Sequence, residues 1–491
     1  MKKNPPLAAL SVSPVISPVV SPVVSPVISP LISRVIAPLI SLWALFLTPT
    51  QVQAFPAQFA VGPDNNQSLV LSTLRSAQKS LDINIYQLDH PAVVDAILDR
   101  ISAGVVVHLL VEGHPVGGIS PAGKYALAKI QALIQAQAQD QTQEQALIQA
   151  EKKEGQTSYS SRGRSHLYLM SAKNKIDRRY RFDHAKYMIV DQARTLVSSE
   201  NLTQGGHATP GHKGSRGWDV LLEDPNFAKE LLAIFTIDVN STDDILDLSQ
   251  DASYLTSSSV TPSKLKYPKL NRAQFDKSNR DHARSDETNT PVGAGDVRST
   301  TLITSPDSRA GLVEMIRSAK ITIEAEEMTL PLTWQIEPTK QIVPNPILTA
   351  LVEASRRGVK VKLLLNDDSV FGKPGSHVSA LQLATNKNAA PRNEQTREFI
   401  QQLAYCEKLP ISAAVIDVNK AGITYIHNKG FIIDDEKVLI SSINGTQNSV
   451  THNREVAVLV ESKEAANYFQ VAFTSDWKNS LAPKEVSISC P

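Results

Sequence analysis

The sequence is short of cysteine, of any excess of charge and, past Phe55, of long apolar runs. Two cysteines in 491 residues, Cys406 and Cys490, are too few for a disulfide framework. An exported chain is able to join them, and a free thiol pair is the equal alternative. Fifty basic residues face 49 acidic ones, a net charge of +1, whereas a dedicated nucleic-acid binder would be basic overall. No stretch after Phe55 is long and apolar enough to cross a bilayer.

The first 54 residues contain no acid at all. They hold Lys2, Lys3 and Arg34, an apolar run from Val35 to Leu47 and the cleavage-like triplet Val52-Gln53-Ala54, which is the pattern of a secretory signal peptide. Residues 1–54 are therefore expected to be a leader and the protein to be exported. Without them 47 basic and 49 acidic side chains remain, a net charge of −2. Inside the leader runs a tetrapeptide repeat, SPVI-SPVV-SPVV-SPVI-SPLI, from Ser13 to Ile32. Proline every fourth residue removes a helix hydrogen bond on each turn, so this is no ordinary membrane helix; it reads as a low-complexity extension of the leader. An uncleaved tether through the 13 residues Val35–Leu47 is the alternative, and it is short for a span.

What is present is one signature written twice. His184-Ala185-Lys186 leads to Asp191, and six residues later comes Ser198-Ser199-Glu200-Asn201; His427-Asn428-Lys429 leads to Asp434, and after the same gap comes Ser441-Ser442-Ile443-Asn444. Histidines and asparagines are both offset by 243 positions. A lone HxKxxxxD arises by chance in about one chain in thirty, but with SSxN at fixed distance the odds fall to the order of one in 10⁵ per copy. Coincidence is excluded for the pair.

This pair of signatures resembles the phospholipase D superfamily, with serine (Ser198, Ser441) where that family usually has glycine. The resemblance implies an α/β protein of two duplicated α/β/α sandwich domains, their mixed sheets packed face to face, with both signatures at one active site. A single chain then suffices for that site. A chain of this length already exceeds one hydrophobic core. The pattern fits: Leu81–Tyr86 alternates as a half-buried strand, a helix follows at 91–102, and Val105–Val111 reads as a strand buried on both faces. The same order returns at 312–320, 321–326, 347–357 and 359–365. Expected boundaries are a first domain at 57–240, an irregular polar connector at 241–299 and a second domain at 300–491.

Strand parity places His184 and Lys186 on one face, and Asp191, of opposite parity, behind the site as a structural hydrogen-bonding group; Asp434 follows suit. Phosphodiester cleavage needs a nucleophile, an acid for the leaving oxygen and positive charge at the non-bridging oxygens. The resemblance implies attack by one imidazole to give a phosphohistidine and acid/base work by the other, assigned here to His184 and His427 in the family's usual order. Lys186, Lys429, Asn201 and Asn444 would hold the phosphoryl oxygens, replacing a divalent metal, so neither metal nor cofactor is expected. The resemblance also places a carboxylate behind a histidine. Glu455 matches it, with Asp219 as its counterpart in the first half, and Ser199 and Ser442 brace the site.

Other features stay open. Eight basic residues between Arg162 and Lys186 form either an approach surface for an anionic substrate or membrane or a solvated loop. Glu324, Glu326, Glu327, Asp367 and Asp368 read as a solvated acidic rim, with head-group recognition as the alternative. His207 and His212, in the glycine-rich loop 204–217, make a poor metal site. The Ala/Gln-rich stretch 124–153 reads as a long helix or helical hairpin, a surface insertion rather than a cover. The expected activity is phospholipid phosphodiester cleavage or transfer; a secreted nuclease and a non-catalytic binder of anionic lipid are the alternatives.

Overall fold

The computed structural model describes residues 54–151, 163–171, 178–240, 243–249, 291–336, 339–371, 392–482 and 490, with only the helical backbone for 140–151. The leader, its repeat and the middle of the connector lie outside these residues.

In the first half β1 (Phe55–Gly62) leads to α1 (Asn66–Arg75), β2 (Ser80–Ile85), α2 (Pro91–Ser102), β3 (Val106–Glu112), α3 (Pro121–Glu151) and β4 (His166–Met170). The first signature opens β5 (Lys186–Val190) and closes β6 (Arg194–Ser198), before β7 (Gly217–Leu222) and α4 (Pro225–Val239). Two short strands follow, β8 (Ile245–Asp247) and β9 (Gly293–Val297). Sheet order is β8-β4-β3-β2-β5-β6-β7-β1-β9. The expected irregular connector therefore adds an edge strand at each side of the first sheet, because its ends run beside β4 and β1.

The second half repeats the plan with β10 (Ser299–Ser305), α5 (Arg309–Ser318), β11 (Thr322–Glu327), a hairpin of β12 (Thr333–Ile336) and β13 (Gln341–Pro344), α6 (Pro346–Arg356) and β14 (Lys360–Leu365). Then come α7 (Arg392–Glu407), β15 (Ile411–Val415), α8 (Val418–Ala421), β16 (Lys429–Ile433), β17 (Lys437–Ser441), α9 (Gln447–Thr451), β18 (Glu455–Glu461) and α10 (Lys463–Lys478). Its order, β10-β18-β17-β16-β11-β14-β15, is that of the first sheet without β8 and β9. The central pairs β2–β3 and β11–β14 are parallel, while β5 and β16 run antiparallel to them.

Apolar residues on both faces of the central strands make three cores. One lies outside each sheet, beneath α1–α3 in the first half and α5–α7 in the second. The third lies between the halves and mixes Phe59, Tyr187, Trp218 and Phe235 with Ile432, Val456, Phe469 and Phe473. Trp218 is buried against Gly430, where a Cβ would meet its ring at 2.4 Å.

The aspartates of the two signatures sit at the far end of their strands. Asp191 and Asp434 begin tight turns with φ of +53°. The Asp191 carboxylate accepts from the N–H groups of Gln78, Lys79 and Ser80, and that of Asp434 from Lys320, Ile321 and Thr322. Each satisfies backbone donors where the chain enters the central strand. Cys406 on α7 is joined to Cys490 by a disulfide. The long Ala/Gln-rich segment is one helix, and its first turns are built in: Ala126, Leu127, Ile130 and Ile134 are buried.

Candidate active site

The histidines of the two signatures are brought together at the junction of the halves, with ring centroids 6.5 Å apart. Backbone stitching across the junction holds them. Arg454 of the second half receives the His184 N–H on its carbonyl at 2.8 Å and donates its own N–H to Phe182 at 2.9 Å. Arg216 of the first half does the same for His427 and Tyr425, both at 2.9 Å. The guanidinium groups then cross over: Arg454 bonds Asp238 on α4 and Arg216 bonds Asp476 on α10.

Each imidazole is oriented by a glutamate from the opposite half. His184 Nδ1 lies 2.8 Å from Glu455 Oε2, and His427 Nδ1 lies 3.1 Å from Glu200 Oε2. An ionised carboxylate only accepts, so against Glu455 the His184 Nδ1 carries the hydrogen and Nε2 keeps its lone pair toward the site, whereas the His427–Glu200 pair has a second proton to hold whenever Glu200 is protonated. Burial holds both imidazoles below their ordinary pKa, His427 well below, with the nearby lysines adding to the effect.

The Asp219 expectation is corrected here. Ser199 N–H bonds Trp218 O, as Ser442 N–H bonds Val456 O, so Trp218 matches Val456 and Gly217, not Asp219, matches Glu455. The glycine-rich loop, five residues longer than its counterpart, hides this register. At Gly217 a Cβ would meet Glu200 Cγ at 2.4 Å and Oε1 at 2.5 Å; the glycine makes room for a carboxylate arriving from the neighbouring strand. Glu200 occupies the variable position of SSxN, where the second copy has Ile443. Asp219 instead accepts from Ser198 Oγ at 2.6 Å and faces His207 Nε2 at 3.3 Å. His207 in turn donates to the Asn201 carbonyl at 2.9 Å.

The remaining signature residues close the site. Lys186 and Lys429 are buried and each donates to the carbonyl of the histidine two residues before it. Burial lowers Lys186 to about 7 and Lys429 to about 8. Asn201 donates to Gln87 at 3.2 Å, while its own Oδ1 and that of Asn444 are buried without a partner. Ser198 Oγ and Ser441 Oγ accept from the N–H of Glu200 and Ile443, both at 2.8 Å. Serine in place of the family's glycine thus caps the SSxN turn. Ser199 Oγ accepts the Trp218 N–H, and Ser442 Oγ donates to Glu455 at 2.6 Å.

Glu455 also accepts from Ser449 and from Asn453 Nδ2. Burial pushes its carboxyl up, but His184, Lys186 and the Ser442 hydroxyl outweigh that and hold it below its usual range. For Glu200 burial prevails and raises the carboxyl to about 7. Glu200 gave no signal by motif alignment; an acid inside SSxN followed by a glycine at the start of the next strand was the available clue.

The acidic flank is not the free surface expected, and the basic run, in which Arg164, Arg179 and Arg181 are exposed, is partly engaged in pairs. Within the basic run Arg178 pairs with buried Glu112 at 2.5 Å, Arg179 with buried Asp244 at 2.9 Å, and Arg181 donates to Asn448. Arg162, Lys173 and Lys175 lie outside the described residues. Glu324, Glu326 and Glu327 are buried rather than forming a solvated rim, with Glu327 directly across the strand pair from Lys429. Among the described residues no cluster of three His, Cys, Asp or Glu side chains is placed to hold a metal ion, and no helix is long and apolar enough to cross a membrane.

Fold and site together define a duplicated α/β protein with one composite centre built from two HxKxxxxD–SSxN signatures. A family model described as cardiolipin synthase, PLD-like domain, matches residues 70–239 and 312–477, and the chain belongs to that family of the phospholipase D superfamily. The fold is that of the phosphatidylserine synthase of Haemophilus influenzae Rd KW20, with a TM-score of 0.55 at 11% identity over 87% of each chain. Nuc from Salmonella typhimurium, a phospholipase D family member, matches at 21% identity over 38% of this chain and 99% of its own, with a TM-score of 0.27. No curated protein matches in sequence.

Proposed function

We propose that the protein transfers the phosphatidyl group of a phospholipid to water or to an alcohol, through a phosphohistidine on His184. The observation that carries this is the pair of imidazoles, one per half, 6.5 Å apart and each backed by a carboxylate from the other half. The His184 Nε2 lone pair forms the N–P bond as the P–O bond to the head-group alcohol breaks, and the His427–Glu200 pair supplies the proton to the departing oxygen. The same pair then takes the proton of the incoming water or alcohol, whose oxygen attacks phosphorus and releases His184. Lys186, Lys429, Asn201 and Asn444 surround the oxygens on which charge develops. As an exported protein, in keeping with its leader and the Cys406–Cys490 disulfide, it would meet its substrate at a membrane surface.

The test is turnover of phosphatidylglycerol by the mature chain in chelator, with and without added ethanol. Phosphatidic acid or a new diester is the expected product. If lipid stays intact while plasmid DNA is cut under the same conditions, the nuclease reading replaces this one. If neither is turned over and anionic vesicles are merely bound, the protein is a binder.

A further inference from the structure

His427 sits in a closed ring of contacts that its counterpart lacks. Its N–H donates to the Arg216 carbonyl at 2.9 Å, and the Arg216 guanidinium donates to Asp476 on α10 through Nε at 2.6 Å and Nη2 at 3.1 Å. Asp476 lies within hydrogen-bonding reach of Glu326 on β11, and Glu326 Oε2 accepts from Asn428 Nδ2 at 2.9 Å. Asn428 is the residue after His427, so the ring crosses between the halves and returns to its start.

Glu326 and Asp476 are 0% and 1% exposed, and Glu326 Oε1 has no donor among the described residues. Two buried carboxylates this close repel, so the pair is stable only when one carries a proton and donates it to the other. Asp476 is the member paired with Arg216, which leaves the proton on Glu326. Burial and the neighbouring Asp476 push the Glu326 carboxyl up, against the pull of Arg216 and the Asn428 amide. In this form Glu326 accepts from Asn428 with one oxygen and donates with the other, as a neutral acid does. The first half has no such ring. Asn84 and Ala185 stand where Glu326 and Asn428 do, and Arg454 and Asp238 close on Tyr180 instead.

We propose that Glu326, as a neutral acid bridging Asn428 and Asp476, is a positioning residue that holds His427 at the departing oxygen and does not act on His184. The proposal rests on the roles given above to the two imidazoles. The His184 N–H donates to the Arg454 carbonyl, outside this ring, so loss of Glu326 shifts one imidazole and not the other. A displacement on the order of 1 Å at a reacting group is enough to cost about 10²-fold. Only the steps in which His427 gives or takes a proton feel it.

The experiment measures Glu326→Leu and Glu326→Gln on phosphatidylglycerol and on the p-nitrophenyl ester of phosphatidic acid, whose leaving group departs without a proton. Glu326→Leu is expected to lower kcat on phosphatidylglycerol about 10- to 100-fold, yet to release the first equivalent of nitrophenol within about threefold of the wild-type rate. Glu326→Gln, whose amide accepts from Asn428 and donates to Asp476, should stay within about threefold of wild type on both substrates. If Glu326→Leu does not fold, Asn428→Ala, which gives the second signature the alanine already present in the first, is expected to show the same split at about tenfold. Equal loss of both rates marks a general structural role and overturns the proposal. So does a wild-type kcat in Glu326→Leu. An amide variant as slow as the leucine one also overturns it, because charge rather than the neutral bridge would then be what matters. Should wild type turn over neither substrate, the functional reading falls and the positioning role with it.

Discussion

The two histidine–glutamate pairs look alike in plan and differ in how the carboxylate is kept. Glu455 is held by His184, Ser442, Ser449 and Asn453 and stays ionised. Glu200 lies in a slot opened by Gly217, and burial raises it to about 7. Below that pH the His427–Glu200 pair carries one proton more than the His184–Glu455 pair, counting each as a unit. A fixed anion behind an unprotonated imidazole suits a nucleophile that must bear positive charge once phosphorylated. A pair that gains and loses a proton near neutrality suits an acid that later serves as a base. Duplication gave two equal sites, and their hydrogen bonding makes them unequal.

The hardest test of that inequality is to remove each imidazole. His184→Ala and His427→Ala should each lower kcat by about 10⁴-fold or more on phosphatidylglycerol. They should part company on a substrate with a p-nitrophenol leaving group, which departs without a proton. His427→Ala is then expected to release one equivalent of nitrophenol and accumulate a phosphohistidine adduct visible by mass spectrometry, while His184→Ala releases none. The adduct on His427 in the His184→Ala protein would reverse the roles.

Next come the carboxylates. Glu455→Gln places an amide among groups that all donate to the native oxygens, so its kcat should fall about 10²- to 10³-fold, the scale of losing an orienting and charge-stabilising partner. Glu200→Gln should cost nearer tenfold below pH 7, since the native group is already largely protonated there. Equal losses for the two variants would remove the distinction drawn between the pairs.

Smaller still is the expected pH effect. Glu200 near 7, Lys186 near 7 and Lys429 near 8 all lose protons as pH rises, while burial holds both histidines below their ordinary value, so neither gains a proton in that window. Thus kcat/KM should be highest on the acidic side of neutral and decline several-fold between about pH 7 and 8. Bound phosphate keeps the lysines charged, so the decline in kcat should begin at higher pH. A profile still rising at pH 9 would show that the buried lysines do not titrate there.

Much of this centre was legible in the chain because it is written in short-range terms. Parity along β5 and β16 faces each histidine with its lysine, and the 243-residue offset announces two copies. The central βαβ units follow from apolar period and glycine stops such as Gly104 and Gly358, whose φ values are +82° and +94°. What escaped depends on contacts between distant strands. The pairing of β8 with β4 gives no local pattern over three residues. The exchange of Glu200 with Gly217 for Ile443 with Glu455 keeps one carboxylate per histidine while moving it to a different strand, which defeats any one-to-one alignment. Trp218 against Gly430 belongs to the same class, since Val456 and Tyr187 stand at the corresponding positions and the bulk has changed sides.

Asp219 isolates that lesson in a single side chain. It has the residue type expected of a histidine's partner and lies only two residues from the position aligned with Glu455, yet its oxygens are taken by Ser198 and His207. Its link to the chemistry is indirect, through His207 to the Asn201 carbonyl. Asp219→Asn should therefore leave kcat within a few-fold of wild type and keep the pH profile in place. The cost should appear as stability, about 1–3 kcal/mol for a buried polar group left with a mismatched partner, read from denaturant unfolding. A loss of activity matching that of Glu455→Gln, at unchanged stability, would return Asp219 to the catalytic set and displace Glu200 from the place given to it here.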